Sequence, residues 1–207
     1  MRAWQTLLGA FALGVVTYFA VLRIAESKNE AAVGRDTYSL ASGHARERDA
    51  FEALRAKLEQ LGQGDLAARL ERLRLDNQLW VAPSLGSERW AVFVRSLGLV
   101  RRVYIREAAL LDPSAHLYEH GTREGSELQQ EAFAWLSLGG ALRHELAHYD
   151  GALDEATAYE QELAWYGAVR QSTFLASADA QTRRTWEWAL ESAELSARKA
   201  AREAAGS

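Results

Sequence analysis

The apolar positions of this chain change their period three times. From Ala3 to Leu22 (AWQTLLGAFALGVVTYFAVL) there is no charged residue, a run close to the ~20 residues a helix needs to cross a bilayer. Arg2 precedes it and Arg23 follows it. A cleavable signal peptide has a shorter apolar core and a small-x-small site, which neither Tyr18-Phe19-Ala20 nor Arg23-Ile24-Ala25 supplies. Residues 1–25 are therefore expected to be an uncleaved transmembrane anchor, making this a single-pass membrane protein. Arg2 and the free amine favour an inside N terminus, whereas Arg23, Lys28 and Arg35 pull the other way. The reading adopted places the folded domain outside the cytoplasm.

Residues 26–45 (ESKNEAAVGRDTYSLASGHA) show no periodicity and read as a linker. From Arg46, Phe51, Leu54, Leu58 and Leu61 recur at spacings of three and four, as on an amphipathic helix. Gly62-Gln63-Gly64-Asp65 stops that helix. Asp65 is expected to cap a second one, with Leu66, Leu70 and Leu73 as its apolar stripe, so that 46–76 forms a helical hairpin.

Then the period shortens. The stretches at 78–83 (QLWVAP), 89–97 (RWAVFVRSL) and 99–107 (LVRRVYIRE) are rich in β-branched and aromatic residues and are punctuated by Pro83, Gly86 and Gly98. They predict two or three strands of one small sheet. A polar connection follows at 112–126. Ser126 and Gln129 make a capping box that opens a long helix, and Gly151 closes it. Asp154 is expected to cap the next helix and Asp179 a last one, with residues 196–207 a fraying tail. Trp135, Trp165, Trp186 and Trp188 read as core. The fold class is α+β, a small mixed sheet packed with a long helix and further helices, as a single domain over 46–195.

Composition narrows the chemistry. The 207 residues are 48% hydrophobic and 25% charged, which suits a folded body. A formal charge of −4 with interspersed signs argues against nucleic acid as a partner. With no cysteine, any metal must be held by histidines and carboxylates.

Such a set stands on the long helix. His144-Glu145-Leu146-Ala147-His148 is an HExxH motif, whose two histidines, four residues apart, lie on one helical face and can reach a single ion. Glu145 sits about 100° around from His144, beside that ion, where it can take a proton from bound water. Zinc suits His and carboxylate ligands without sulfur. The third ligand is open between Asp154 and Glu155. In HExxHxxGxxD, the metzincin-type pattern, Asp154 would bind, but that group needs a downstream methionine turn and the only methionine here is Met1.

The other reading has the helix beginning DEATAYEQE (154–162) present a glutamate to the ion. Residues 99–169 in this respect resemble the gluzincins, thermolysin-like peptidases with HExxH followed by a helical Glu, and their minimal members in particular. The resemblance implies a zincin-like fold, zinc as cofactor, His144, His148 and Glu155 as ligands and Glu145 as general base. Only six residues separate His148 from Glu155, a tighter link than in larger members. The resemblance also implies that the strand ending RVYIRE lines the cleft and pairs with an extended peptide through a free edge.

Glu155, Tyr159 and Glu162 share a face, so Glu162 is the reserve ligand, and Tyr159 is a candidate oxyanion donor or supporting partner. Tyr149 could serve as donor too, and His116 and His120 precede the helix in a position to meet substrate. The expected function is a zinc metallopeptidase in which zinc-bound water, activated by Glu145, attacks a peptide or protein substrate. The alternative is a non-catalytic, membrane-tethered helical binding or scaffold protein with an incidental HExxH. Oligomeric state is not legible.

Overall fold

The structure, a computed structural model, describes residues 2–86, 88–119 and 125–206, the side chains of 2–14, 118 and 119 excepted. The chain begins with helix α1 (Arg2–Val33), then strand β1 (Tyr38–Ser39) and a 3-10 turn over Leu40–Ser42. Helices α2 (Ala45–Gln60) and α3 (Gly64–Leu75) form a hairpin, followed by strands β2 (Leu79–Ala82), β3 (Ala91–Ser96) and β4 (Val100–Arg106). Short helices α4 (Glu107–Leu111) and α5 (Pro113–Glu119) lead to the long helix α6 (Glu127–Asp150). Then come α7 (Glu155–Arg170), α8 (Thr173–Ser177) and α9 (Ala180–Ala205), so the described residues are mostly helical.

The strands form one mixed sheet in the order β1-β2-β4-β3, with β2 parallel to β4 and the other pairs antiparallel. Side chains alternate between its faces, as the strand pleat requires. Leu79, Val81, Ala91, Val103 and Ile105 join the main core with the leucines of α2 and α3 and with Leu138, Leu142 and Leu146 of α6. Ala82, Tyr104 and the flanking Trp80, Val92 and Val94 form a second cluster with Val33 of α1. Helices α6, α7 and α9 pack on one another, α7 approaching α6 most closely where Gly139 and Gly140 leave room. A Cβ on Gly140 would stand 2.1 Å from the Tyr166 hydroxyl oxygen, so only glycine permits this approach.

The caps fall where the sequence put them in α6, α7 and α9. Ser126 and Gln129 make the reciprocal capping box, Gly151 ends α6 at φ +121°, and Asp154 and Asp179 accept backbone N–H bonds at the starts of α7 and α9. Asp65, in contrast, lies within the first turn of α3, behind an N-cap at Gln63. The tail continues as helix to Ala205.

The expected transmembrane anchor is not found. Among the described residues, no helix is long and apolar enough to cross a membrane. The anchor also included residues whose side chains lie outside the described set. From Val15 onward α1 carries Arg23, Glu26, Lys28 and Glu30, and its last turns are built into the fold. Ala25, Asn29 and Val33 are buried there, and Asn29 accepts a short hydrogen bond from the Ser96 hydroxyl and donates to Tyr104 Oη at 3.4 Å. The apolar run is one half of a helix whose polar half grips the sheet, and single-pass membrane placement falls with the anchor. The same packing corrects the linker at 26–45, which supplies the end of α1, β1 and the start of α2.

A second correction concerns the cleft. The strand ending RVYIRE is β4, flanked by β2 and β3, and has no free edge. The edge strand beside it is β3.

Candidate metal centre

Helix α6 carries His144 and His148 one turn apart, their rings 5.0 Å between centroids. Gly151 reverses the chain, and the Asp154 cap starts α7 so that Glu155, its first residue, turns back over both rings. Glu155 Oε2 is 3.0 Å from His144 Nε2, and Oε1 is 3.4 Å from His148 Nε2. Ligand atoms of all three residues lie within 4.8 Å of one another.

The two carboxylate–imidazole separations fit a metal. Bonds of about 2.0–2.1 Å to a tetrahedral ion place the donor atoms about 3.3 Å apart. The far nitrogens are also arranged for one. His148 Nδ1 donates to the Ala152 carbonyl at 3.0 Å, which leaves a lone pair on Nε2. His144 Nδ1, buried and without a hydrogen-bond partner of good geometry, faces the Glu162 carboxylate at ion-pair distance, 3.4 Å. Carboxylates and carbonyls behind imidazoles in this way orient metal ligands. Two histidines and one carboxylate match the donor set zinc takes where a fourth position stays open.

The competing acids are placed elsewhere. Asp154 is exposed and spends its carboxylate on the α7 cap, accepting from Thr157 N at 2.8 Å and Thr157 Oγ1 at 3.0 Å. Those bonds, the backbone one foremost, hold its carboxyl below the usual range. Glu162 lies on the Nδ1 edge of His144, not among the converging atoms, and accepts from the Tyr166 hydroxyl at 2.9 Å.

Glu145 stands beside the cluster, half-buried, and accepts the backbone N–H of Phe93 at 2.7 Å from the edge strand. Burial pushes its carboxyl above the usual range, against the lowering effect of the Phe93 hydrogen bond and of the two imidazoles. His144 is raised as well: burial alone would lower it, but Glu162, Glu145 and Glu155 outweigh that. Tyr159 meets the His144 ring edge-on at 4.4 Å, and its hydroxyl has no hydrogen bond among the described residues. Burial and then the carboxylates of Glu162 and Glu155 raise its pKa, so the hydroxyl keeps its hydrogen for hydrogen bonding.

Tyr149 is committed to packing, its hydroxyl donating to Gln78 and its ring lying against Phe93. His116 is buried in α5 against Trp90, not exposed near substrate, and His120 lies outside the described residues. Two cavities flank the cluster, of about 370 Å³ towards α9 and about 640 Å³ along β3. Both are lined by His144, Glu145 and Tyr159.

Sequence reasoning missed the Phe93 N–H, because the alternation of β3 predicts a strand but not that it is an edge. It also missed the role of Glu162 behind His144. Compared with known proteins, the chain matches no family model, no curated protein and no solved structure.

Proposed function

We propose that this chain is a zinc-dependent metallopeptidase of the gluzincin-like kind that its sequence resembles. The observation that carries the reading is the convergence of His144 Nε2, His148 Nε2 and the Glu155 carboxylate, with Glu145 alongside, at the floor of a cleft. His144, His148 and Glu155 would hold the metal. When bound, zinc supplies a Lewis acid that activates water and polarises a peptide carbonyl.

The remaining steps belong to the chain. Glu145, held by the Phe93 N–H, accepts the proton of the attacking water and returns it to the leaving amine as the C–N bond breaks. Burial raises its carboxyl above the usual range, the direction that makes a carboxylate a better proton acceptor. Tyr159 Oη donates to the oxygen on which negative charge builds. Glu162 and Ala152 O are positioning groups, keeping both rings turned towards Glu155. The substrate is an extended peptide, which β3, an edge strand with no strand paired beyond it, suits.

The test is zinc loading followed by Glu145→Gln. The variant is expected to keep its zinc and lose peptide hydrolysis by roughly 10²–10⁴-fold, the usual worth of a general base. Hydrolysis that survives the substitution would refute the mechanism. A zinc-loaded wild-type chain without turnover on any peptide would leave a metal-binding protein that is not a peptidase.

A further inference from the structure

The wall of the cleft opposite the metal cluster is basic. Ala91, Phe93 and Arg95 share one face of β3, and with Arg89 and Arg101 they line the larger cavity. Arg95 stands directly opposite Arg101 in the β3–β4 register. Like charges in that position disfavour the pair unless something offsets them. Arg101 is engaged: its guanidinium donates to the Tyr149 carbonyl and lies over the Tyr149 ring at 4.4 Å. Arg95 is exposed, and its guanidinium, like that of Arg89, has no ion pair or hydrogen bond among the described residues.

Among the described residues, no acid lining the cavity is paired with Arg89 or Arg95. Glu145 is bound to the Phe93 N–H and Glu155 to the imidazoles, while nearby Asp150 is paired with Arg69 at 2.5 Å. Metal at the cluster would add further positive charge. Among the described residues, Arg89 and Arg95 thus bring unpaired guanidinium groups to the cleft of a chain whose formal charge is −4.

Resting on the peptidase reading, we infer that the substrates are acidic peptides, with a carboxylate bound by Arg95 beside the bond that is cut. Phe93, whose N–H marks the position of Glu145, is two residues from Arg95 along the edge strand. That separation of about 6.6–6.8 Å is one side-chain repeat of an extended peptide running beside it. A guanidinium binds a carboxylate through paired charge-assisted hydrogen bonds, so this contact selects substrates as well as holding them. The carboxylate can be an Asp or Glu side chain or the peptide's own C terminus.

The experiment uses the zinc-loaded full chain and three peptides on one scaffold: an internal Asp with an amidated C terminus, a neutral sequence with a free C terminus, and the neutral sequence amidated. One or both carboxylate-bearing peptides are expected to exceed the neutral amide at least about tenfold in kcat/KM, equivalent to about 1.4 kcal/mol. Which of the two does so identifies the source of the carboxylate. The preference should collapse in Arg95→Gln, turn towards basic peptides in Arg95→Glu, shrink with added salt, and persist in Arg184→Gln on the outside of α9.

Binding of the same peptides to zinc-loaded Glu145→Gln protein, read by calorimetry, separates recognition from turnover. Peptides cleaved without any carboxylate preference overturn this inference and leave the peptidase reading standing. No cleavage, but Arg95-dependent binding of the carboxylate-bearing peptides, overturns the peptidase reading and keeps acidic-peptide recognition. Neither cleavage nor selective binding overturns both.

Discussion

Glu162 stands behind His144, its Oε2 3.4 Å from Nδ1, while the Glu155 carboxylate meets the same ring at Nε2, 3.0 Å away. One imidazole is thus held between two acids seven residues apart on α7, and only the second is turned towards His148. On the metal-site proposal, this relationship separates the acid that would bind metal from the one that would orient its ligand. Glu162→Gln should keep stoichiometric zinc but weaken its affinity roughly 10–100-fold, the usual cost of losing such a partner. A competition titration against a chromogenic chelator reads the difference. Loss of zinc as complete as in His148→Ala would make Glu162 a ligand.

Gly140 makes that arrangement possible. A Cβ there would lie 2.1 Å from the Tyr166 hydroxyl and 3.0 Å from Glu162 Oε1. Alanine gains up to about 1 kcal/mol of helix propensity over glycine. Overpacking a fixed, fully buried ring costs about 1–3 kcal/mol, and the short contact places this site at the upper end. The clash wins, so Gly140→Ala should lower the unfolding free energy by about 1–2 kcal/mol, and with it the urea midpoint, and also weaken zinc binding, because Glu162 must move. Urea unfolding of the two proteins measures the first effect, and an unchanged midpoint would contradict the packing described.

Removing the metal should soften the fold around the α6–α7 turn. A ligand that binds only the folded state stabilises it by about 2.7 kcal/mol at a hundred times its dissociation constant. Chelation should therefore lower Tm and added zinc restore it, whereas His148→Ala should respond to neither. Scanning calorimetry with and without zinc provides the check.

The cap of α9 gives a pH signature away from the site. Backbone N–H bonds, that of Thr182 first, hold the Asp179 carboxyl below the usual range. A folded-state value below the unfolded one means stability that is present above the unfolded pKa and lost as pH falls through the folded one. Acidification should thus melt this cap. Asp179→Asn keeps a capping side chain but does not titrate, so its Tm should fall less steeply between neutral and acid pH. Parallel profiles for the two proteins would argue against the cap's contribution.

Several of these features were legible in the sequence and others were not, for physical reasons. Caps and HExxH spacing are local: Ser126, Gly151, Asp154 and Asp179 act within a few residues of themselves, so their types announce their roles. The choice between Glu155 and Glu162 depends on how α7 crosses α6, which Gly139 and Gly140 determine through contacts with Trp165 and Tyr166. Spacing alone puts both acids on one face. The apolar run at 3–22 has the length and flanking charge of an anchor, and neither shows that Asn29, further along the same helix, is buried against Ser96 and Tyr104. Strand order is likewise non-local. The alternation of 89–97 and 99–107 predicts two strands equally well, and only the placing of β2 beside β4 leaves β3 as the edge that reaches Glu145.

The central claim is that two imidazoles and the Glu155 carboxylate grip one cation. Its most direct test is the zinc content, by elemental analysis, of full-length protein purified without added metal. Wild type should hold one zinc per chain and Asp154→Asn should retain it, while His148→Ala and Glu155→Ala each fall well below stoichiometric. Wild-type protein free of zinc, or zinc kept in full by both the His148 and Glu155 variants, would contradict the account.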